Sequence, residues 1–351
     1  HKGRTCKPPN QNLKGGPHGS PFSFVFCSMK NKHLLLKSLV IVFFSSLLIF
    51  CTRDSNLPTI SFIDAFKDDT IDQARIGFFK ALADRGYEEE KSTLSVIYRN
   101  AQGDVPTLIQ SIRYAISKEV DLIATCPSLS TITAIQQDTD IPVVMMVSPT
   151  PEKMQLLNEA GQAPPNLYGV SETISYIDTS FALIQKLISK NTPLKIGLLY
   201  NQAETQSVNA YSRLKTISDE MGVTLVAKPV NNSAELKLVT AALIKEDIDV
   251  FFANPDNVVF AGFETIFADC TAAGIPVFTS EAGLVARGAV AAYGPDLFEW
   301  GYQAGVIAAK LLNGEQVDPS WELVNKRISV YNPKMAEKWG LKIPNSFTPI
   351  E

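Results

Sequence analysis

The chain has 351 residues, 45% of them hydrophobic and 19% charged, with a formal net charge of −4. This length is enough to bury one large core or two medium ones. A slightly acidic chain without a long basic run is a poor match for nucleic acid, so we expect no nucleic-acid partner.

Histidine is confined to the start of the chain. The three histidines are His1, His18 and His33. A histidine-based acid or base, a Ser-His-Asp or Cys-His arrangement and a histidine metal site are therefore excluded from the region beyond residue 50. The five cysteines, which show no Cys-x-x-Cys pair and no metal-ligand spacing, are Cys6, Cys27, Cys51, Cys126 and Cys270. We expect no metal and no cofactor.

Sequence motifs of enzymes are missing as well. There is no G-x-S-x-G, no P-loop and no G-x-G-x-x-G after a predicted strand. Cys126 lies where a strand ends and a helix begins, a position that favours a thiolate. With no histidine to activate it, we predict that Cys126 is a small core residue, as is Cys270 on the apolar face of its helix. The sequence predicts a protein that is not an enzyme.

The first 50 residues have the character of a leader. Residues 1–28 are polar and rich in Gly, Pro and Lys, and are predicted to be disordered or not native to the protein. Met29 begins a predicted signal peptide, 29–50, whose basic start precedes an apolar core at 39–50. That core is shorter than the roughly 20 residues that a membrane span needs.

The end of this leader resembles the lipobox of bacterial lipoproteins, in the sequence Leu48-Ile49-Phe50-Cys51. The resemblance implies that Cys51 is lipidated and becomes the mature N-terminus, with 51–57 as a tether. Phe50 departs from the pattern, which has a small residue there. An uncleaved signal anchor and a plain secretory signal are the alternatives.

From Pro58 onward, strands alternate with helices, which predicts an α/β fold with parallel, doubly wound sheets. The predicted strands are 59–63, 94–98, 122–125, 141–147, 168–172, 195–200, 224–229, 250–253, 276–280, 288–293 and 326–331. The predicted helices are 71–85, 105–117, 128–138, 176–189, 208–221, 233–245, 258–273 and 298–312. Residues 156–167 are predicted to form a loop.

The architecture repeats although the sequence does not. We predict two lobes, the first formed by 58–170 and 284–314 and the second by 171–283 and 315–351. Several strands cross between them, which indicates a multi-strand hinge with a cleft between the lobes.

Polar and aromatic side chains recur where the predicted strands end, the place where open α/β sheets bind ligands. In the first lobe these are Asp64, Phe66, Asn100, Gln102, Thr125, Ser128 and Ser148. In the second they are Tyr200, Glu204, Ser207, Asn254, Asp256, Asn257, Ser280 and Glu281. The set holds hydroxyls, amides, carboxylates and aromatic rings but no cationic side chain.

This composition suits a zwitterion. A helix start leaves backbone N–H groups unpaired and carries partial positive charge, so Ser128 or Ser207 is predicted to mark the carboxylate site. The ammonium would face Asp256 or Glu281, and the apolar body would contact Phe66 or Tyr200. Each residue also has an ordinary structural interpretation: helix capping for the serines and Asp256, core packing for Tyr200, and a solvated loop charge for Glu204 and Glu281.

Several segments between about residues 58 and 314 carry a further signal. They are Asn100-Ala-Gln-Gly-Asp104, Asp121-Leu-Ile-Ala-Thr-Cys-Pro127, Tyr168-Gly-Val-Ser171, Ile196-Gly-Leu-Leu-Tyr-Asn201 with Glu204 and Ser207, Asn254-Pro-Asp-Asn257, and Ile275-Pro-Val-Phe278 through Arg287-Gly-Ala289. Together they resemble the periplasmic substrate-binding components of ABC importers, in the branch that includes tryptophan- and other aromatic-amino-acid-binding lipoproteins.

The resemblance implies a two-lobed type I fold that closes over one small molecule and delivers it to a membrane permease and its ATPase. It implies an extracytoplasmic monomer held at the cell envelope by its lipid. By position, the helix start after Pro127 takes the ligand carboxylate through the N–H groups of Ser128 and Leu129, while Asp256 and Asn257 face the amino group.

Two departures from the family touch this predicted pocket. Ser128-Leu129-Ser130 replaces small alanines after the proline, and Glu281 stands where aspartate is frequent. The ligand therefore need not be tryptophan. An extracytoplasmic sensor that signals to a partner receptor is the alternative function.

Overall fold

The computed structural model describes residues 57–190, 192–318 and 320–350. The predicted leader, the signal peptide and the lipidation at Cys51 lie outside these residues. Within the described ranges, none of the helices combines the length and the apolar character needed to cross a membrane.

The elements of this region alternate as the sequence predicted. The strands are β1 (Thr59–Asp64), β2 (Ser95–Asn100), β3 (Leu122–Cys126), β4 (Val143–Pro149), β5 (Leu167–Glu172), β6 (Lys195–Tyr200), β7 (Thr224–Pro229), β8 (Val250–Ala253), β9 (Val277–Thr279), β10 (Ala291–Pro295), β11 (Trp321–Leu323), β12 (Arg327–Tyr331) and β13 (Thr348–Pro349). The α-helices are α1 (Asp69–Ala83), α2 (Val105–Ser117), α3 (Ser128–Ile135), α4 (Ile177–Leu187), α5 (Thr205–Met221), α6 (Leu236–Ile244), α7 (Asn257–Ala261), α8 (Phe263–Ala272), α9 (Ala282–Ala286), α10 (Leu297–Leu312) and α11 (Pro333–Lys338).

Two parallel sheets carry the fold. The first has the strand order β11-β5-β4-β3-β1-β2 and the second the order β7-β6-β8-β9. Every strand pair within them is parallel. A third sheet, β10-β12-β13, contains an antiparallel pair. The predicted α/β class with parallel sheets is confirmed.

The sequence missed several short elements. Strand β11 was not predicted; it pairs with β5 in the first sheet, whereas all of 315–351 was assigned to the second lobe. The exact lobe boundaries otherwise stay a prediction. The predicted helix 258–273 is two helices that meet at Gly262, and α9 was not predicted. Helix α5 begins at Thr205, three residues before the predicted start, so Ser207 lies inside the helix.

Helices α1 and α10 pack closely against each other beside the first sheet, which the glycines of α10 allow. A Cβ on Gly301 would lie 1.7 Å from the backbone oxygen of Ala74, so no residue larger than glycine fits at this position. Trp300 is 2% exposed, and its indole N–H donates to the backbone oxygen of Val170 at 2.8 Å. This contact attaches α10 to the end of β5.

Candidate functional site

A cavity near the strand ends, here called the main cavity, has a volume of about 650 Å³. Its lining comes from the loops and helix starts that follow strands of both parallel sheets. Residues after β1, β2 and β3 line one side: Phe66, Lys67, Gln102, Gly103, Val105, Ser128, Leu129 and Ile132. Residues after β6, β7 and β8 line the other: Asn201, Ala203, Glu204, Thr205, Asn231, Asn232, Ser233, Asn257, Val258 and Ala261. The ends of the two sheets thus meet at one cavity.

A second space of about 30 Å³, here called the inner cavity, adjoins the first and shares Ser128, Glu204 and Asn257 with it. Its further lining is largely buried and mixes aromatic and polar side chains. Among these residues are Pro127, Tyr176, Gln206, Asp256, Phe260, Glu281 and Trp300. Its volume is that of one small polar group or one or two waters.

Two helices begin at the main cavity, one from each side. Helix α3 starts at Ser128, and neither its first N–H nor that of Leu129 donates a hydrogen bond within the described residues. Helix α5 starts at Thr205 after Glu204, again without a side-chain cap. Free N–H groups together with the positive end of the helix dipole favour a bound carboxylate.

Glu204 lies at the junction of the two cavities. Its carboxylate accepts from the backbone N–H of Asn257, with both oxygens 3.1 Å from the nitrogen, and from the side-chain amide of the same residue. Burial raises the pKa of Glu204 well above its usual value, and the charge of Asp256 raises it further. A cation placed beside Glu204 would reverse this effect.

Asp256, in contrast, is committed to the protein itself. One carboxylate oxygen accepts from the Ser207 hydroxyl at 2.6 Å and from the Asn201 N–H at 2.7 Å. The other caps α7 by accepting from the Val259 N–H at 2.9 Å. Asp256 is 1% exposed, and burial raises its pKa against the effect of these donors. It stabilises the local structure and has little capacity left for a ligand.

Glu281 is a third acid that lines the inner cavity, after Glu204 and Asp256. Oε1 of Glu281 accepts from the hydroxyls of Tyr176 and Ser280, both at 3.1 Å. Burial raises the pKa of Glu281 to about 7. Close by, the side-chain oxygen of Gln206 is buried without a hydrogen-bond partner. The inner cavity therefore offers acceptors that a donor-rich group can satisfy.

The predicted site residues fall into three groups. Those that line the main cavity are Phe66, Gln102, Ser128, Leu129, Glu204 and Asn257. Those that line the inner cavity without reaching the main one are Pro127, Asp256 and Glu281. Those that line neither are Asp64, Asn100, Thr125, Ser148, Tyr200, Ser207, Asn254 and Ser280.

The residues of the third group pack behind the cavity walls. Thr125 of β3 and Ser148 of β4 share hydrogen bonds with Thr131 of α3. Tyr200 stacks on Tyr211, with ring centroids 4.3 Å apart. Asp64 is buried and accepts from the Tyr98 hydroxyl at 2.8 Å, and burial raises its pKa to about 7. These side chains stabilise the strand ends instead of facing the main cavity.

Sequence reasoning missed two parts of the lining. Lys67, next to Phe66 in the loop after β1, gives the main cavity a cationic side chain that the predicted set did not contain. The polar run Asn231-Asn232-Ser233 follows β7, whose end was not included among the candidate strand ends. Lys67 and residues 231–233 both follow predicted strands, so the rule that ligands lie at strand ends also covers them when it is applied to every strand and to the whole of each loop.

The residues of the main and inner cavities are suited to binding a ligand. None of the cavity side chains described above is an activated nucleophile. Cys126 and Cys270 are both buried thiols; burial raises the pKa of Cys126 well above its usual value and that of Cys270 to about 12. Within residues 57–350, leaving out 191, 319 and the side chains not described, no group of three His, Cys, Asp or Glu residues is arranged to hold a metal ion.

Comparison with known proteins matches residues 59–348 to the family described as ABC transporter substrate binding protein. The tyrosine-binding protein of Clostridioides difficile is 30% identical over 248 residues, which are 71% of this chain and 70% of that protein. A conserved domain protein of Vibrio cholerae has a similar structure, with a TM-score of 0.77 and 26% identity over 84% of this chain and 100% of that one. An ABC domain of Streptococcus pneumonia in complex with L-Trp gives a TM-score of 0.74 at 22% identity, over 82% and 96%.

Proposed function

This chain belongs to the family of ABC transporter substrate-binding proteins, and from that premise we propose that it captures a small zwitterionic amino acid, apolar or aromatic, and passes it to an ABC importer. The family and the two-lobed type I fold were predicted from the sequence and are confirmed. Members of the family are extracytoplasmic transport components rather than enzymes. The ligand, the permease and the closing motion belong to our proposal.

One observation carries the proposal: the main cavity is lined from the ends of both parallel sheets. A ligand held there touches both sides at once. The lining also offers what a zwitterion requires, with free helix-start N–H groups on each side and a half-buried acid between them. Apolar side chains of Phe66, Leu129 and Ile132 complete one wall.

We place the ligand carboxylate at the start of α3, on the N–H groups of Ser128 and Leu129. The ammonium then faces Glu204, because Glu204 reaches both cavities while Asp256 already accepts from several donors. The apolar body lies against Phe66 and Val258. The relative that binds tyrosine supports an aromatic amino acid as the first candidate.

Capture would proceed by closure of the lobes. The chain leaves the first sheet and its helices after β5, returns to them before α10, and leaves them again between β11 and β12; these passages form the proposed hinge. A ligand that contacts both walls binds the closed form better than the open one, and it shifts the population toward closure by that difference in affinity.

Lipid anchoring at Cys51 is part of the same proposal, supported by the basic, apolar and lipobox-like sequence before it. In a bacterial host, mass spectrometry of the mature N-terminal peptide should show a diacylated Cys51. The Cys51→Ala variant should leave the membrane fraction. An unmodified Cys51 in the mature wild-type protein would remove the anchor from the account.

Thermal unfolding against a panel of amino acids tests the binding function. A ligand present at about 100 times its Kd adds about 2.7 kcal/mol to the unfolding free energy, which raises Tm measurably. We expect tyrosine, tryptophan, phenylalanine or a large aliphatic amino acid to do so, and sugars to have no effect. A Tm that stays constant across all amino acids would contradict the proposal.

A further inference from the structure

We propose that Asn100 is a positioning residue of the main cavity: it does not contact the ligand but fixes Phe66 and Gln102, which do. The inference rests on the proposed function, because it concerns how well the same cavity holds its ligand. Asn100 ends β2 and belongs to neither cavity lining.

The side chain of Asn100 connects two loops. Its amide nitrogen donates to the backbone oxygen of Phe66 at 3.0 Å, in the loop after β1. Its amide oxygen accepts from the backbone N–H of Gln102 at 2.9 Å, in the loop after β2. One planar group thus sets the separation of two residues that line the same wall.

The second loop adopts a backbone conformation that needs such support. Gln102 has φ 51°, a left-handed conformation that is uncommon for a residue with a Cβ. Gly103 follows with φ +82°, and its N–H donates to the backbone oxygen of Ala65 at 2.7 Å. The hydrogen bond from the Gln102 N–H to Asn100 offsets part of the cost of this turn.

The turn also seats the aromatic ring. A Cβ on Gly103 would lie 3.1 Å from Cε1 of Phe66, so the ring packs directly over the glycine. If the loop after β2 relaxes, Phe66 loses its support and Gln102 turns away from the cavity. Asn100 therefore determines the shape of the first-lobe wall without being part of it.

The contacts require an amide at this position. Asparagine supplies a donor for Phe66 and an acceptor for Gln102; an ionised aspartate supplies acceptors only, and alanine supplies neither. A neutral hydrogen bond contributes about 1 kcal/mol, which corresponds to about fivefold in affinity. We expect Asn100→Asp to weaken amino-acid binding about fivefold and Asn100→Ala about 30-fold.

The experiment compares these variants with Asn166→Ala by calorimetric titration. Asn166 is a matched control, since its side chain also joins loops, donating to the backbone oxygens of Thr139 and Ile141 at the opposite ends of the strands. We expect Asn166→Ala to lose comparable stability and to keep wild-type affinity. If Asn100→Ala also keeps wild-type affinity, the proposal is wrong.

A second comparison separates positioning from general destabilisation. In a Phe66→Ala, Gln102→Ala background, a positioning residue has nothing left to position, so Asn100→Ala should then change affinity less than twofold. An undiminished 30-fold loss in that background would overturn the proposal.

A measurement without ligand keeps this test independent of the binding function. Hydrogen exchange of the Gln102 amide should accelerate in Asn100→Ala and stay slow in Asn100→Asp, which retains the acceptor. Equal exchange in Asn100→Ala and the wild type would overturn the proposal, whether or not any amino acid binds. Failure of the wild type to bind any amino acid, with the exchange pattern as expected, would instead overturn the proposed function.

Discussion

The Glu204→Gln variant should bind the amino acid about a hundredfold more weakly than the wild type, because it removes the charge that faces the ligand ammonium. A hydrogen bond to a charged group contributes about 1.5–3 kcal/mol, and every 1.4 kcal/mol is a factor of ten in Kd. Glutamine keeps the shape and an acceptor for the Asn257 N–H, so the fold should persist. Calorimetric titration measures the change in Kd.

A ligand without its ammonium makes this test specific. N-acetylation of the amino acid should weaken binding to the wild type strongly and to Glu204→Gln much less, since the two changes remove the same interaction. Glu246→Gln serves as the control, because Glu246 pairs with Lys228 at the surface and lines neither cavity. If N-acetylation reduces affinity equally in the wild type and in Glu204→Gln, the ligand ammonium does not face Glu204.

Binding should also depend on pH with a defined sign. Burial raises the pKa of Glu204 in the free protein and a bound ammonium lowers it, so binding releases protons in the pH range between the two pKa values. Affinity should rise with pH until Glu204 is ionised in the free protein. Glu281, with a pKa of about 7, adds to the slope near neutrality. The Glu204→Gln variant should retain only the Glu281 part of this slope.

Arg287→Gln should weaken amino-acid binding about tenfold and lower the unfolding free energy by about 2–3 kcal/mol, because it breaks a partly buried ion pair. Arg287 donates to Asp68 at 2.9 Å, to Glu264 at 2.7 Å and to the backbone oxygen of Phe260 at 2.7 Å. Asp68 precedes α1 beside the first sheet, whereas Glu264 lies on α8 beside the second. The guanidinium therefore links the proposed lobes, and we expect this link to favour the proposed closed form.

Removing Arg287 leaves the Asp68 carboxylate, 4% exposed, without its charge partner. Asp68→Asn should have a smaller effect on stability, since the single amide oxygen of asparagine still caps α1 and Arg287, which loses its acceptor at residue 68, keeps its pair with Glu264. The matched control is Arg213→Gln. Arg213 pairs with Asp178, which lies in the same proposed lobe. Calorimetric titration measures Kd, and denaturant unfolding measures the unfolding free energy. An unchanged Kd in Arg287→Gln would show that the link does not favour closure.

The alternation of strands and helices could be predicted from the sequence because each long element carries its own periodic apolar pattern. The strands at 195–200, 224–229 and 250–253 were predicted to the residue, as was the helix at 105–117. The missed elements β11 and α9 are three and five residues long, too short for a period to show. Gly262 divides a continuous apolar pattern, which sequence alone assigns to one helix.

The location of the main cavity at the strand ends could be predicted from the sequence, but the contacts of each side chain could not. The rule that ligands lie at strand ends identified Ser128, Glu204 and Asn257, which face both cavities. The same rule cannot tell whether a strand-end side chain faces the cavity or holds its wall. Asp256 and Asn100 satisfy the pattern, yet their hydrogen bonds go to protein groups of nearby loops and helices, most of them backbone groups. Such partners become visible only when loops distant in sequence are placed side by side.

A crystal structure of the protein with the amino acid that raises its Tm most tests the central claim directly. The account predicts one molecule in the main cavity, with its carboxylate within hydrogen-bond distance of the Ser128 and Leu129 nitrogens and its ammonium against Glu204. Residues that follow both parallel sheets would contact it. A ligand held by one sheet's residues alone, or bound outside the main cavity, would contradict the account.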